Sequence, residues 1–129
     1  MAKNYTLNCN LNMTATSASG YTQSQSGSYT LNITGVDQIA TGRIDVAHDG
    51  DSTVMAAPGA GRFIYVKNLD DTNFVKIYDG ASSAADLIGI LEPGHFLMTV
   101  IRGTGTTVAK ADTATVTIEY AAIEIDANA

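Results

Sequence analysis

The sequence predicts an all-β protein, an antiparallel β-sandwich of about eight or nine strands. Apolar and polar residues alternate over residues 5–13 and 113–120, with the period of two that is typical of a strand with one buried face. Three further runs are rich in apolar, β-branched and aromatic residues: 62–69, 73–78 and 95–101. These runs hold too many apolar side chains for one solvent-exposed sheet, so we expect a second sheet to cover at least one strand.

The first predicted strand lies near the N-terminus. Its apolar face is formed by alternate residues, namely Tyr5, Leu7, Cys9, Leu11 and Met13. We expect this face to be buried, with Cys9 behaving as a small buried hydrophobic residue.

Residues 15–28 are rich in Ser, Thr, Gln and Gly, and two interpretations remain open for them. The segment is either a low-complexity linker or an exposed loop or outward strand. In the second case it would present Tyr21, Gln23 and Gln25 to a neighbouring subunit, and these three residues are our candidates for partner contact.

Four local features are interpreted as turns or irregularities. Asp70-Asp71-Thr72 is polar and short enough to close a hairpin between the first two central runs. Asp49-Gly50 is interpreted as a tight hairpin turn, because a calcium loop would need further oxygen ligands and a downstream glutamate. Pro93-Gly94 marks another turn. The alternation changes phase at Ala121-Ala122, which predicts a β-bulge.

Length and charge limit the classes of function. A chain of 129 residues suits one domain. We divide it into an N-terminal strand or hairpin arm over 1–34 and a β-sandwich domain over 35–129, the two forming one domain or a domain with an appended arm. The formal net charge is −6, and the seven basic residues are scattered. Because no basic stripe could neutralise phosphates, we expect no direct binding to nucleic acid.

No arrangement of residues suggests catalysis or a cofactor. His48 and His95 are far apart in the sequence, and the acidic residues occur singly on strands or in turns. The single cysteine excludes an internal disulfide and metal sites built from several cysteines. No run has the length of a signal peptide or a membrane span. We therefore expect a protein that is not an enzyme, has no cofactor, metal or membrane partner, and folds in a reducing cytoplasm.

Six segments of the chain carry a resemblance to a known group of proteins. They are TGVD (34–37), RFIYVKNLD (62–70), TNFV (72–75), LEPGH (91–95), AKADT (109–113) and TIEY (117–120). They resemble small virion structural proteins of tailed bacteriophages, which combine a KNLDxTN-type hairpin, an LxPGE-type turn, an AKA-type loop and a hydrophobic C-terminal strand. The resemblance runs from residue 34 to the C-terminus. His95 stands where glutamate is common in that turn.

The resemblance implies a jelly-roll-like β-sandwich in the virion. The expected function is that of a capsid decoration, or cement, protein that binds and stabilises the assembled shell. Its partners would be further copies of itself, with a trimer favoured, and the major capsid protein. It would be made in the host cytoplasm and would lie on the outer capsid surface. The alternatives are a tail, knob or fibre structural protein and a receptor- or carbohydrate-binding β-sandwich.

Overall fold

The computed structural model describes residues 3–36, 39–55, 61–80, 82, 86–102 and 105–125, and these residues form an all-β protein without a helix. The ten strands are β1 (Lys3–Thr16), β2 (Thr22–Val36), β3 (Ile39–Val46), β4 (Ser52–Met55), β5 (Gly61–Asn68), β6 (Val75–Asp79), β7 (Asp86–Leu91), β8 (Phe96–Arg102), β9 (Thr107–Ala111) and β10 (Val116–Ile125). The all-β prediction is confirmed. Two local expectations differ from the structure: β7 is not recognised as a strand from the sequence, and the AKA segment, expected to be a loop, lies in β9.

The strands form three antiparallel sheets. The first sheet has the order β3-β10-β5-β8 and the second has the order β4-β9-β6-β7. Among the described strands, β1 and β2 pair only with each other, as a long hairpin. The core lies between the two four-stranded sheets, as expected for a β-sandwich. The core residues are Val46, Val54, Met55, Ile64, Val66, Val75, Ile77, Leu91, Ala109, Ala111, Val116, Ile118 and Ala122.

The strand pairs of the sandwich are nested. Strand β3 pairs with β10, β4 with β9, β5 with β8 and β6 with β7. These pairs alternate between the two sheets, and the β10–β5 and β9–β6 ladders complete each sheet. Consecutive strands from β3 onward therefore lie in different sheets, with β6 and β7 as the exception.

This nesting corrects two of the predicted hairpins. Asp70-Asp71-Thr72 connects β5 to β6, and Asp49-Gly50 lies between β3 and β4, so both segments cross from one sheet to the other. Sequence-adjacent strands often pair, which made hairpins the simpler expectation. Polar turn residues do not distinguish a hairpin loop from a crossing between sheets.

The predicted β-bulge at Ala121-Ala122 is also wrong. Strand β10 pairs with β3 and with β5 in unbroken register through both alanines. Ala122 faces the core, and its neighbour Ile123 lies opposite Phe63 on the outward side of the first sheet. The change of phase therefore marks a place where the outward face becomes apolar, and no extra residue is inserted.

The KNLDxTN and LxPG motifs contact each other. The buried Asn68 amide group donates to the carbonyl oxygens of Asn73 and Leu91, both at 2.9 Å, and its side-chain oxygen accepts from the backbone N–H of Asp70 at 2.8 Å. The Asn68 carbonyl accepts from the N–H of Gly94 at 3.1 Å. All of these are structural hydrogen bonds that a buried amide requires.

The predicted turn at Pro93-Gly94 is confirmed. The His95 N–H donates to the Glu92 carbonyl at 3.0 Å, and Gly94 has a φ of 78°. Proline at the second position and a left-handed glycine at the third are typical of a type II turn. This turn leads from β7 in the second sheet into β8 in the first.

Arg62 joins the two sheets at one end of the sandwich. Its side chain is fully buried in β5, and its guanidinium donates to the Asp79 carboxylate at the end of β6 and to the Thr107 hydroxyl at the start of β9. A charged group inside a protein needs such partners. Gly105 lies against Asp79 and has no room for a Cβ atom, since one would collide with a carboxylate oxygen of Asp79.

Candidate functional site: an uncharged hairpin beside an apolar strand

The hairpin of β1 and β2 stands out because most of it is exposed. Its two strands are paired from the base to Thr16 and Thr22. The loop between them is closed by Ser17, whose backbone N–H donates to the Tyr21 carbonyl at 2.7 Å and whose hydroxyl accepts from the Tyr21 N–H at 3.0 Å. Residues 10–28 are exposed on both faces. The segment 15–28 is therefore the distal part of a hairpin and not a linker.

The two faces of the hairpin differ in chemistry. One face carries Asn, Thr and Ser side chains. On this face the Thr30 hydroxyl of β2 donates a hydrogen bond to the Asn8 amide oxygen of β1, at 3.0 Å. The other face carries the apolar residues of β1. Leu11 is 46 % exposed and Met13 is 50 % exposed. The prediction that this face is buried is therefore wrong at Leu11 and Met13 in a single copy of the chain, and Cys9 is only half-buried. The burial of Tyr5 and Leu7 lies outside what the structure describes.

Beyond Lys3 at its base, the hairpin also carries no charge. Asn4 to Val36 contain no acidic or basic residue, although the whole chain has a net charge of −6. An isolated two-stranded hairpin is marginally stable in water. This one has no charged side chain beyond Lys3 to keep it apart from other molecules, and it exposes an apolar stripe.

Strand β8 lies at the edge of the first sheet and has a second exposed apolar face. Leu97 and Ile101 pack against the core, while Phe96, Met98 and Val100 point outward. Phe96 is 54 % exposed. Residues 96–101 contain no charge and no proline. An apolar edge strand without such protection is prone to pair with another chain unless something covers it.

The hairpin and β8 meet at a cavity. Cys9, Phe63, Met98, Thr99 and Val100 line about 390 Å³ of mainly apolar space. Phe63 points away from the sandwich core and is nevertheless 4 % exposed. Burial at this site raises the pKa of the Cys9 thiol above its usual value.

Cys9 of the hairpin and Met98 and Val100 of β8 share the lining of this cavity. We use the name hairpin–β8 surface for the exposed apolar residues of these two strands: Leu11, Met13, Phe96, Met98 and Val100. Exposed apolar patches of this kind mark sites of protein–protein interaction.

The three candidate contact residues are near this surface. Gln25 lies opposite Met13 in the β1–β2 register and Gln23 lies opposite Ala15, so both glutamines share the face of Leu11 and Met13. Tyr21 is at the hairpin tip and is 68 % exposed. The structure brings the glutamines to the edge of the hairpin–β8 surface and places Tyr21 at its far end.

Sequence reasoning missed the β8 half of this surface. The available signal was that residues 96–101 are apolar at both odd and even positions apart from Thr99. From the sequence we expect at least one of the three central runs to be covered on both faces, and the pattern does not show which run has an exposed face. Because the outward face of β8 is uncovered, three of those five apolar residues are exposed in a single copy.

Comparison with protein-family models, curated proteins and solved structures finds no match. The interpretation of the site therefore depends on its own chemistry. Within the described ranges, no three His, Cys, Asp or Glu side chains are grouped so as to hold a metal ion. In the same part of the chain, no helix is long and apolar enough to cross a membrane.

Proposed function

We propose that this chain is a structural protein of a bacteriophage virion, a capsid decoration protein that self-associates and binds the assembled shell. The observation that carries the proposal is the hairpin–β8 surface, which is apolar, uncharged and exposed in one copy. Such a surface suits adhesion between proteins and offers no arrangement for catalysis. On this proposal the protein is not an enzyme.

The nested strand pairs support the expected jelly-roll topology. A long hairpin whose successive strand pairs alternate between two sheets gives the orders β3-β10-β5-β8 and β4-β9-β6-β7. We propose that β3 to β10 form a jelly roll and that β1 and β2 are an arm attached to it. The motifs that resemble those of phage virion proteins would then act by fixing crossings between the sheets, as Asn68 does for residues 68–73.

The occupant that we propose for the hairpin–β8 surface is a second copy of this chain. Two copies with net charge −6 repel each other wherever charged surfaces meet. Residues 4–36 of the hairpin and the outward side chains of Phe96, Met98 and Val100 are uncharged, so copies can approach there without that cost. Symmetric association also suits the geometry, because each copy supplies both an arm and an edge strand. A closed trimer is the favoured form, as the resemblance implies.

The oligomer would then bind the major capsid protein on the outer surface of the shell, after synthesis in the host cytoplasm. A protein that binds the assembled shell and not its free subunits stabilises the shell by mass action. Neither nucleic acid nor membrane takes part in this proposal.

Self-association is tested with paired substitutions on the two faces of the hairpin. Multi-angle light scattering of the full chain should give a mass of several copies. The variant Leu11→Ser/Met13→Ser should shift the mass toward one copy, and Phe96→Ser should have the same effect from the other side. The matched control, Asn10→Ser/Asn12→Ser on the polar face, should keep the oligomer. A monomeric wild-type chain, or equal loss in both double variants, would overturn the proposal.

The location in the virion is tested separately, by cryo-electron microscopy and by quantifying copies per purified particle. A decoration protein predicts hundreds of copies on the shell. A few dozen copies or fewer, at the tail or at one vertex, would instead support the tail, knob or fibre alternative. Absence from the particle would contradict both functions.

A further inference from the structure

A second site lies on the outward face of the second sheet, away from the hairpin–β8 surface. Lys76 in β6 and Lys110 in β9 are directly opposite each other in the antiparallel register. Side chains in this relation have Cβ atoms about 5 Å apart, and like charges placed so are destabilising. These two are among only seven basic residues in an acidic chain.

The two lysines form part of a polar pocket of about 220 Å³. His48, Tyr78, Ala111 and Asp112 complete its lining. The loop that carries His48 is held to β9 by a hydrogen bond from the Ala111 N–H to the Ala47 carbonyl, at 3.0 Å. Three kinds of hydrogen-bond donor therefore face one space: two ammonium groups, a phenol and an imidazole.

The ammonium group of Lys76 is held in position by an aromatic ring. Its nitrogen lies 5.6 Å from the centroid of the Phe74 ring, a distance typical of a cation–π contact. Lys76 and Lys110 are both half-buried. Their charges are therefore less screened than those of fully exposed lysines.

Two aspartates, Asp51 and Asp112, are near enough to offset the positive charge of the two lysines. Asp51 interacts electrostatically with Lys110, but its carboxylate already accepts hydrogen bonds from the Ser82 hydroxyl and backbone N–H. The Ser82 bonds are the main reason why the pKa of Asp51 is lowered. Asp112 lies at the rim of the pocket. In the part of the chain that the structure describes, neither lysine forms an ion pair with these carboxylates.

We propose that this pocket binds a small oxyanion, a phosphate or a carboxylate, between Lys76 and Lys110. The ammonium groups supply the charge, and the Tyr78 hydroxyl and the His48 ring donate to the remaining oxygens. A bound anion would remove the repulsion between the lysines, and each charge-assisted hydrogen bond to it would be stronger than a neutral one. Asp112 opposes the anion and weakens its binding. The inference does not depend on the proposed virion function.

The site is tested by titrating inorganic phosphate, and separately succinate, into the full chain by calorimetry at constant ionic strength set with sodium chloride. Wild type should bind at least one of the two anions at a single site. Lys110→Met and Lys76→Met should each weaken binding about tenfold or more, the loss expected for one charge-assisted hydrogen bond. Asp112→Asn should strengthen binding several-fold. The control Lys67→Met, on the outward face of the first sheet, should leave the affinity unchanged.

Thermal melting keeps the test valid if a variant binds too weakly to titrate. Without phosphate, Lys110→Met should melt no lower than wild type, because the change removes like-charge repulsion. With phosphate, the melting temperature of wild type should rise more than that of Lys110→Met. An equal rise in both would reflect the general stabilisation by excluded salts and would overturn the proposal. Absence of binding to both anions, or a loss of binding in Asp112→Asn, would also overturn it.

Discussion

The sandwich and the hairpin are built from the same kind of alternating strand, yet they stand in opposite relations to water. In the sandwich, Ile64 and Ile118 are fully buried between two sheets. In the hairpin, Leu11 and Met13 occupy equivalent alternate positions and remain about half-exposed. Alternation shows that a strand has two different faces. It does not show whether the chain's own second sheet covers the apolar one.

The sandwich and the hairpin also differ in the charged residues that they contain. The sandwich accommodates charge within its structure, as the buried Arg62 and its partner Asp79 show. The hairpin from Asn4 to Val36 has none. A region that must be soluble alone usually carries charges, so the hairpin is better suited to contact than to permanent exposure.

The largest expected effect separates the two regions by stability. Ile64→Ala should lower the free energy of unfolding by about 2–5 kcal/mol, because the side chain is fully buried and its removal leaves a cavity. Leu11→Ala should change it by less than about 0.5 kcal/mol in dilute protein, since half of that side chain is already in water. Urea denaturation below the concentration of self-association measures both.

The comparison fails if the two alanine variants lose similar stability at high dilution. That result would mean that Leu11 is buried within one copy. At high protein concentration, the losses in free energy of unfolding caused by Ile64→Ala and Leu11→Ala should become more similar. Self-association would then bury Leu11 as well.

A smaller effect concerns the charge inside the sandwich. Asp79→Asn removes the negative partner of the buried Arg62, and we expect a loss of about 2–3 kcal/mol. This loss is smaller than the roughly 3–5 kcal/mol typical of a fully buried pair, because the Asp79 side chain is 30 % exposed and water can reach it. The control is Asp45→Asn, which removes an exposed carboxylate bonded to the Thr117 hydroxyl and should cost under about 0.5 kcal/mol. Thermal unfolding of both variants measures the two losses of stability. Equal losses in Asp79→Asn and Asp45→Asn would contradict the structural role of Arg62.

The smallest effect is a pH dependence at the crossing between β5 and β6. The backbone N–H groups of Asn73 and Thr72 donate to the Asp70 carboxylate at 2.6 and 3.0 Å and lower the pKa of Asp70. Its contribution to stability is therefore present above the ordinary aspartate pKa and is lost as the pH falls through the lowered one.

The check on Asp70 compares stability between pH 7 and pH 2 in wild type, Asp70→Asn and the neighbouring control Asp71→Asn. Wild type and Asp71→Asn should lose stability in parallel on acidification. Asp70→Asn should be less stable at neutral pH and should show a weaker dependence in the acidic range. A curve for Asp70→Asn parallel to that of wild type would rule out this role of the carboxylate.

Much of the fold could be predicted from local patterns, because burial in a sheet imposes a period of two that the sequence displays. The central runs around β5, β6 and β8 and the turn at Pro93-Gly94 were found in this way. Strand β9, with the sequence TVAKA, was not predicted as a strand because alanine and lysine have low strand propensity. The two alanines, Ala109 and Ala111, are buried in the core between the sheets.

The nesting of strands could not be predicted, because it depends on long-range pairing such as that of β3 with β10. The turn at Asp70 has the same chemistry whether it closes a hairpin or crosses between sheets. The candidate site was predicted only in part. Gln23 and Gln25 lie beside Met13, but the contribution of β8 requires knowing that this strand is at an edge.

The central claim is that another copy of the chain covers the hairpin–β8 surface. Hydrogen–deuterium exchange at several protein concentrations tests it most directly, because the amides of β1, β2 and β8 can be compared with those of β5 in one sample. We predict that β5 is protected at every concentration and that protection of the hairpin and β8 increases as the protein self-associates. Protection of the hairpin that is independent of concentration in a chain shown to be monomeric would contradict the account.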